Sequence, residues 1–258
     1  MPSASNVHIL DFSGVYFSYG KNKPFIRNLA FSIREGNFIG LLGANGSGKS
    51  TILKLASGIL KPSSGSLTLW GKDLSRENGR DRAKLISYLP QTLDIGVPFT
   101  VKELVSMGLY PYDIPPAMNV DEALDVVGLL EKADARLMDL SGGERRRTFI
   151  AMTLLQGAGL LLLDEPLANL DIRYQIELIK LLRNLRTVRN ISVMMALHDI
   201  NMALQFEDVM LIKDGGIIGV GKPEEVLTRD RVKEAFDVDV DIKKNGVKGM
   251  YISYEHNF

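Results

Sequence analysis

The chain has 258 residues, of which 45% are hydrophobic and 24% are charged, the proportions of an ordinary globular protein. Its 31 Lys and Arg residues balance 31 Asp and Glu residues, and this formal net charge of +0 argues against a nucleic-acid binder, which usually carries a basic excess. The absence of cysteine excludes a disulfide framework, a thiolate zinc site and a cysteine nucleophile.

Neither the beginning of the chain nor its most apolar stretch predicts a membrane segment. Residues 1–10 lack the basic start and the long apolar core of a signal peptide. The most apolar stretch, 157–163, is far shorter than the ~20 residues that a spanning helix needs. We therefore expect a cytoplasmic protein that reaches a membrane only through a partner.

The first third of the sequence predicts short strands separated by polar turns. Alternating hydrophobic residues predict strands over 15–19 and 29–33. An almost continuous apolar run over 38–42 predicts a strand that is buried on both faces. A helical pattern follows over 51–60, and 67–70 predicts another short strand.

The rest of the chain begins with a helix-rich part and continues with alternating strands and helices. Alternation of this kind indicates an α/β protein with a parallel sheet. We expect one domain over 1–258, with a helical subdomain inserted at about 95–157. The predicted elements are helices over 101–109, 120–130, 141–155, 172–186, 200–206, 223–227 and 231–236, strands over 160–163 and 191–197, a hairpin around 214–216 and a last pair of strands.

Eight residues between the strand over 38–42 and the following helix match the phosphate-loop pattern completely. They are Gly43, Ala44, Asn45, Gly46, Ser47, Gly48, Lys49 and Ser50. Glycines let main-chain N–H groups converge on a phosphate, and the helix that starts near Thr51 presents more of them at its N-terminus. Lys49 is placed to reach the β- and γ-phosphates, and the Ser50 hydroxyl to bind Mg²⁺. A chance glycine-rich turn is the alternative, and the flanking strand and helix argue against it.

The apolar strand over 160–163 delivers two carboxylates, Asp164 and Glu165, to its end. Carboxylates in such a place are costly unless they face a cation or a wet cleft. Asp164 suits the coordination shell of Mg²⁺, mostly through water, and Glu165 suits polarisation of an attacking water. The simpler alternative is an acidic pair that caps a helix at a strand exit.

The segment Leu140–Glu144 reads Leu-Ser-Gly-Gly-Glu and resembles the signature motif of the ATP-binding cassette (ABC) ATPases, LSGGQ or LSGGE. A Ser-Gly-Gly at a helix start is a further anion site. The resemblance implies that Ser141, Gly142 and Gly143 contact the γ-phosphate of an ATP held by the opposite subunit. The alternative is an ordinary N-cap of a core helix.

Other positions follow in the order of the ABC family. The resemblance implies that Tyr19 stacks on adenine, that Gln91 senses Mg²⁺ and the membrane partner, and that His198 contacts the γ-phosphate. It also makes 168–171 the D-loop, with Asp171 among the nucleotide-binding residues. Taken singly, Tyr19 could be a strand-packing residue, Gln91 a loop residue and His198 a strand-end histidine.

Some positions depart from the family pattern. Arg146 stands where glutamine is frequent, 151–153 lacks an arginine that many members carry, and Ala168 replaces a common serine. We expect these departures to affect subunit contacts more than chemistry, and none of them to touch the phosphate loop, Glu165 or His198. We interpret the run Arg145–Arg147 as a solvated helix face or a contact between a helix and a phosphate, rather than a nucleic-acid patch.

The resemblance covers essentially the whole chain and implies an α/β fold, a P-loop NTPase (RecA-like) core with an N-terminal antiparallel β subdomain and an inserted α-helical subdomain. It implies ATP and Mg²⁺ as cofactors, with Ser50, Gln91 and Asp164 around the metal. Lys49, Glu165 and His198 would be the catalytic residues. Two copies would stack head to tail, with each ATP between 43–51 of one copy and 141–143 of the other.

The resemblance favours an ATP-binding subunit of an importer, on the inner face of the cell membrane. Its partners would be integral membrane permease subunits and, indirectly, a substrate-binding protein. The segments 105–111, 197–203 and 215–227 resemble the group that takes up ferric siderophores, haem and cobalamin, which favours an iron chelate or other metal-containing cargo. An importer of another small solute and a non-transport ABC ATPase acting as an ATP-switched interaction protein are the alternatives. Chromosomal and translational ABC proteins are disfavoured because we find one cassette, no long coiled coil and no zinc motif.

Overall fold

The structure is a computed structural model that describes residues 8–20, 24–92, 98–114, 116–168, 170–245 and 249–254. The chain divides into two compact units, one formed by Met1–Ser75 with Met194–Phe258 and the other by Arg76–Val193. In the described ranges, no helix combines the length and the hydropathy needed to cross a membrane. The predicted subdomain bounds of about 95–157 remain a prediction.

The elements are numbered in chain order. The strands are β1 (His8–Phe17), β2 (Ile26–Arg34), β3 (Phe38–Leu42), β4 (Ser64–Leu69), β5 (Lys72–Asp73), β6 (Ile86–Leu89), β7 (Leu160–Asp164), β8 (Ser192–Leu197), β9 (Asp208–Lys213), β10 (Gly216–Gly221), β11 (Val240–Asn245) and β12 (Gly249–Tyr254). The helices are α1 (Lys49–Ala56), α2 (Gly79–Leu85), α3 (Val101–Ser106), α4 (Val120–Val126), α5 (Gly142–Leu155), α6 (Ile172–Arg189), α7 (Ile200–Ala203), α8 (Pro223–Val226) and α9 (Arg229–Phe236).

The first unit contains the predicted N-terminal antiparallel sheet, with strand order β2-β1-β4-β5. A second group of strands places β3 parallel to β9, which pairs antiparallel with β10. All five residues of β3 are buried, as its continuous apolar run predicts. The last residues of β8 lie beside β3, so the strand that leads into the phosphate loop is covered on both edges.

The second unit contains the helices α2 to α6 and the parallel pair β6 and β7. Helices α3, α4 and α5 pack against one another, which confirms the predicted helical part. Each begins with a capping box, in which a polar N-cap side chain and a glutamate three residues later each accept from the other's main-chain N–H. The N-caps are Thr100, Asn119 and Ser141.

Most predicted elements are present, with ends that differ by a few residues. The strand predicted over 15–19 ends at Phe17, so Tyr19 lies beyond it. The helix predicted to reach residue 60 ends at Ala56, because Gly58 takes a left-handed conformation with φ 71°. Helix α2 was not predicted, because none of its residues is buried and its sequence therefore carries no apolar period.

Candidate functional site

The phosphate-loop sequence forms the connection between β3 and α1 in the first unit, as predicted. Gly43 shows why small residues are needed here, because a Cβ on it would lie 2.4 Å from the carbonyl oxygen of Ile212 and 2.5 Å from Oγ of Ser47. Asn45 and Gly46 are exposed at the tip of the loop. The loop therefore presents main-chain groups at the surface while its base is tightly packed.

Three features of this loop suit a bound phosphate. The N-cap residue of α1 is Gly48, which has no side chain that could cap the helix. The hydroxyl Oγ of Ser47 is buried and has no hydrogen-bond partner in the described part of the chain. The ammonium of Lys49 donates to the carbonyl oxygens of Gly43 at 2.7 Å and Ala44 at 3.2 Å. An anion at this place would meet a helix N-terminus, a hydroxyl donor and a cation.

A hairpin turn supports the phosphate loop from the same unit. The main-chain N–H of Gly215, between β9 and β10, donates to the carbonyl oxygen of Ser47 at 2.8 Å. Gly215 has φ 75°, and a Cβ on it would lie 1.7 Å from the carbonyl oxygen of Phe25. The sequence predicted the hairpin but not this contact, because nothing local indicates which distant segment a turn will touch.

Tyr19 lies beside the start of α1. Its hydroxyl is hydrogen-bonded to Oγ1 of Thr51 at 2.8 Å, and its ring packs edge-on against Phe17 and Phe25. The side chain is nevertheless 65% exposed, so a large part of its ring is open to a ligand. A strand-packing role, the simpler reading of this residue, does not describe the observed position.

His198 lies in the same unit, directly after β8, and is exposed. The next residue, Asp199, caps α7 by accepting hydrogen bonds from the N–H groups of Asn201 at 2.7 Å and Met202 at 3.3 Å. This cap fixes the chain direction at the end of β8. The first unit thus holds Tyr19, the phosphate loop and His198 of the predicted site.

The second unit brings together Gln91, Asp164 and Glu165. The amide Nε2 of Gln91 donates a hydrogen bond to Oε2 of Glu165, and the hydroxyl of Tyr88 donates to Oδ2 of Asp164 at 3.3 Å. Both carboxylates are buried, with 1% of Asp164 and 6% of Glu165 exposed. Glu165 has φ 52°, a left-handed conformation that residues with a side chain adopt at a cost in free energy.

The position of Arg146 contradicts the interpretation of the run Arg145–Arg147 as a solvated helix face. Only 7% of Arg146 is exposed, and its guanidinium donates to the main-chain carbonyl oxygens of Asp164, Glu165 and Pro166. A solvated helix face describes Arg145 alone, because Arg147 lies 3.9 Å from the ring centroid of Tyr174. We expected that the replacement of the family's frequent glutamine by Arg146 would not touch Glu165. This expectation is wrong, because Arg146 donates a hydrogen bond to the main-chain carbonyl oxygen of Glu165.

The signature segment lies at the exposed start of α5. The capping box joins Ser141 and Glu144, and Lys132 pairs with the Glu144 carboxylate at 2.5 Å. The hydrogen bond from Lys132, with that from the Ser141 N–H, lowers the pKa of Glu144 from 4.5 to about 2. Gly142 has open space around it and is exposed, so its main chain is accessible to a large ligand.

Of the predicted D-loop, 168–171, the structure describes every residue except Asn169, which lies outside the described residues. Asp171 is exposed at the N-cap of α6, where its side chain makes no capping hydrogen bond. Its main-chain carbonyl accepts from the N–H of Gln175 at 3.0 Å. Asp171 is thus placed at the surface of the second unit.

The oxygen atoms of Ser50, Gln91 and Asp164 are of the type that Mg²⁺ prefers. Within the described ranges, no group of three or more His, Asp or Glu side chains could hold a metal ion.

Comparison with known proteins places these features in a family. The ABC transporter family model matches residues 26–168, more than half of the chain. The chain is 39% identical over 232 residues to the iron(3+)-hydroxamate import ATP-binding protein FhuC of Bacillus subtilis, covering 87% of this chain and 86% of that protein. It is 38% identical over 221 residues to the hemin import ATP-binding protein HmuV of Bradyrhizobium diazoefficiens, covering 82% of each.

A solved structure has the same fold. It is described as an inward-facing conformation of a putative metal-chelate type ABC transporter, and it matches with a TM-score of 0.81 at 24% identity over 96% of this chain and 98% of that chain. The similarity at this identity concerns the fold, whereas the relatives above also share much of the sequence. The chain belongs to the ABC transporter family, as one of its ATP-binding subunits, the ATPases that are coupled to transport.

Proposed function

We propose that this chain binds ATP with Mg²⁺ and hydrolyses it to drive import of an iron chelate or another metal-containing compound. The observation that carries the nucleotide part is the phosphate loop, where the buried Ser47 hydroxyl, the start of α1 behind its N-cap Gly48 and the Lys49 ammonium lie together. The relatives named for iron(3+)-hydroxamate and hemin import support the cargo class.

In this proposal the first unit binds the nucleotide. Residues 43–51 hold the phosphates, and the exposed ring of Tyr19 stacks on the adenine. Lys49 moves its ammonium from the loop carbonyls to the β- and γ-phosphates, and His198 contacts the γ-phosphate. Bound Mg²⁺ would neutralise charge on the phosphates, with the Ser50 hydroxyl, Gln91 and Asp164 as its protein ligands or as ligands through water.

The second unit supplies the hydrolytic carboxylate. Glu165 accepts a hydrogen bond from a water that attacks the γ-phosphorus in line, and the bond to the ADP oxygen breaks as the new P–O bond forms. Before this step Glu165 must exchange the Gln91 amide for that water. Asp171 is proposed to contact nucleotide from the D-loop.

We also propose that two copies share each ATP and that the pair works on integral membrane permease subunits, indirectly with a substrate-binding protein. The exposed start of α5 supports this, because Ser141, Gly142 and Gly143 offer a helix N-terminus to a phosphate outside their own unit. The chain would then lie on the cytoplasmic face of the membrane, held there by the permease. ATP binding favours the closed pair, and its hydrolysis releases it.

The test is ATP hydrolysis measured against protein concentration, with Lys49→Ala and Glu165→Gln beside the wild type. We expect a rate per chain that rises with concentration, and a fall of at least about 100-fold in Glu165→Gln with nucleotide binding kept. Lys49→Ala should lose both binding and hydrolysis. A rate that is independent of concentration would contradict the shared site, and full activity of Glu165→Gln would contradict the catalytic assignment.

The transport part needs the permease. Reconstitution of the chain with its permease and substrate-binding protein in liposomes should give uptake of a ferric hydroxamate or haem that requires ATP and is lost in Glu165→Gln. Hydrolysis that no candidate permease alters would favour a non-transport, ATP-switched interaction protein. Uptake of only metal-free solutes would keep the importer and overturn the cargo class.

A further inference from the structure

Arg146 is a buried cation whose hydrogen bonds all end on the main chain. It lies in the second turn of α5, and only 7% of it is exposed. Within the described part of the chain its guanidinium donates to four carbonyl oxygens, at distances that include 2.7 Å to Gln91, 2.9 Å to Asp164 and 3.2 Å to Pro166. The fourth acceptor is the carbonyl oxygen of Glu165.

These acceptors surround the proposed catalytic carboxylate. Three of them belong to the successive residues 164, 165 and 166, and the central one, Glu165, has the left-handed φ of 52°. Such a conformation persists only where surrounding contacts hold it. The fourth acceptor is on Gln91, whose side chain donates to the Glu165 carboxylate. One guanidinium therefore fixes the main chain behind both partners of that hydrogen bond.

We propose that Arg146 is a positioning residue for hydrolysis, which holds Glu165 and Gln91 in register through their main chains and joins them to the helix that begins at the signature Ser141. The inference rests on the proposed function, because it assigns a task to Arg146 through the proposed role of Glu165. It does not make Arg146 a catalytic residue, since its donors point to peptide carbonyls rather than to the reacting atoms.

The chemistry of arginine explains why this residue type suits the place. Its planar group offers five N–H donors in a fixed arrangement, which is enough for four acceptors on two chain segments. Lysine has three donors on one atom, and the glutamine that the family often carries has two. Burial lowers the pKa of Arg146, and the nearby carboxylates of Asp164 and Glu165 counteract that effect.

Because Arg146 lies on α5, movement of this helix can reach the main chain of Glu165 and Gln91. Arg146 and the N-cap Ser141 belong to the same continuous helix, less than two turns apart. A displacement of the start of α5, as when the signature segment meets a ligand, would be carried by the guanidinium to the main chain of Glu165 and Gln91. The arrangement links the surface at Ser141 to the buried carboxylate through one side chain.

The experiment compares Arg146→Lys and Arg146→Gln with Arg145→Gln, a change at the exposed neighbour. For each purified full-length variant, kcat, KM for ATP, affinity for a fluorescent ATP analogue and the melting temperature are measured. We expect kcat to fall about 10-fold to 100-fold in both Arg146 variants, the effect typical of a small misplacement of a reacting group. Nucleotide affinity should stay within about threefold, and Arg145→Gln should behave as the wild type.

A double variant separates positioning from a general loss of structure. If Arg146 acts through Glu165, then adding Arg146→Gln to Glu165→Gln should lower the residual rate no further. A loss of rate that persists undiminished in the Glu165→Gln background overturns the inference, as does an unchanged kcat in both Arg146 variants. If neither variant folds, as judged by circular dichroism, Arg146 serves stability and the inference is also overturned.

The outcome for Glu165→Gln distinguishes this inference from the proposed function. Full activity of Glu165→Gln would remove the catalytic carboxylate and the inference with it. A slow Glu165→Gln with normal Arg146 variants would leave the proposed function intact and contradict only the role of Arg146.

Discussion

The amide of Gln91 donates a hydrogen bond to the carboxylate of Glu165, so the residue predicted to sense Mg²⁺ and the residue predicted to polarise the attacking water face each other directly. Both belong to the second unit, and their main-chain carbonyls share a donor, Arg146. The contact gives Glu165 a neutral partner.

Replacing Gln91 with glutamate should make stability depend on pH. Two carboxylates would then be in contact, and one of the pair would titrate with a raised pKa. A raised folded-state pKa destabilises the protein increasingly as pH rises above the unfolded value of about 4.3. We expect Gln91→Glu to be about 1–3 kcal/mol less stable than the wild type at pH 8 and closer to it at pH 5, measured by urea unfolding.

Gln91→Ala is the control for that comparison. It removes the hydrogen bond without adding a charge, so its stability difference from the wild type should change less between the two pH values than that of Gln91→Glu. If Gln91→Glu shows the same difference at pH 5 and pH 8, the carboxylate of Glu165 is not the partner of residue 91 in solution.

The phosphate loop, the acidic strand end and the signature helix could be predicted because each is a local pattern with a local physical cause. The apolar run of β3 and the small residues after it define the loop, and Ser141 with Glu144 defines a helix start. The short N-terminal strands and the helical part followed in the same way from hydrophobic periodicity, whereas the antiparallel pairing of those strands was implied only by the family resemblance.

The contacts between distant segments could not be predicted. Gly215 touches Phe25 and Ser47 across long stretches of chain, and no local pattern specifies that meeting. The sequence did contain an indication that Arg146 is buried. Phe149, Ile150 and Thr153 lie three, four and seven residues later on the same helix face, and all three are buried. This spacing was not interpreted as burial because the arginine side chain is charged, and charged residues are rarely buried.

Removing the ring of Tyr19 should weaken ATP binding. The ring is 65% exposed beside the phosphate loop, and a base stacked on an aromatic side chain gains about 1–3 kcal/mol, so Tyr19→Ala should raise the dissociation constant for ATP about 5-fold to 150-fold. Tyr19→Phe keeps the ring and loses only the hydrogen bond to Thr51, and it should bind nearly as the wild type does.

A second exposed tyrosine provides the matched control for Tyr19. Tyr110 is 83% exposed and belongs to the other unit. Isothermal titration with ATP should show no change for Tyr110→Ala. Equal losses in Tyr19→Ala and Tyr110→Ala, or unchanged affinity in Tyr19→Ala, would be inconsistent with adenine stacking on Tyr19.

Adding a methyl group at Gly215 should disturb both the fold and the phosphate loop. Gly215 and Gly71 share φ 75°, but a Cβ on Gly215 would lie 1.7 Å from the Phe25 carbonyl oxygen, whereas a Cβ on Gly71 would have no non-neighbouring atom of the described residues within 4 Å. Gly71→Ala therefore isolates the conformational cost, about 1–2 kcal/mol. Gly215→Ala should cost about 1–3 kcal/mol more, because the turn must also move.

The two glycine variants are compared by thermal unfolding and by nucleotide affinity. Gly215→Ala should also weaken ATP binding, since the N–H of Gly215 supports the carbonyl oxygen of Ser47. Gly71→Ala should leave affinity unchanged. Equal melting temperatures for the two variants would mean that the turn at Gly215 is not held against Phe25 in solution.

The ion pair at the signature helix should give the protein a measurable acid sensitivity. The pKa of Glu144 is lowered to about 2 chiefly by the hydrogen bond from Lys132, and a depressed folded-state pKa contributes stability above the unfolded value of 4.5. That contribution is lost as pH falls from about 4.5 to about 2. Because Glu144 and Lys132 are both partly exposed, we expect a contribution of only about 1 kcal/mol.

Glu144→Gln tests this while keeping the helix cap, because glutamine at the third helical position also completes a capping box. The variant should be less stable than the wild type at pH 7, and the difference should shrink as pH falls from 4.5 towards 2 in denaturant unfolding. High salt at pH 7 should shrink it as well, because salt screens an exposed pair. A difference that is constant from pH 7 to pH 2 would show that the Glu144 charge does not stabilise the start of α5.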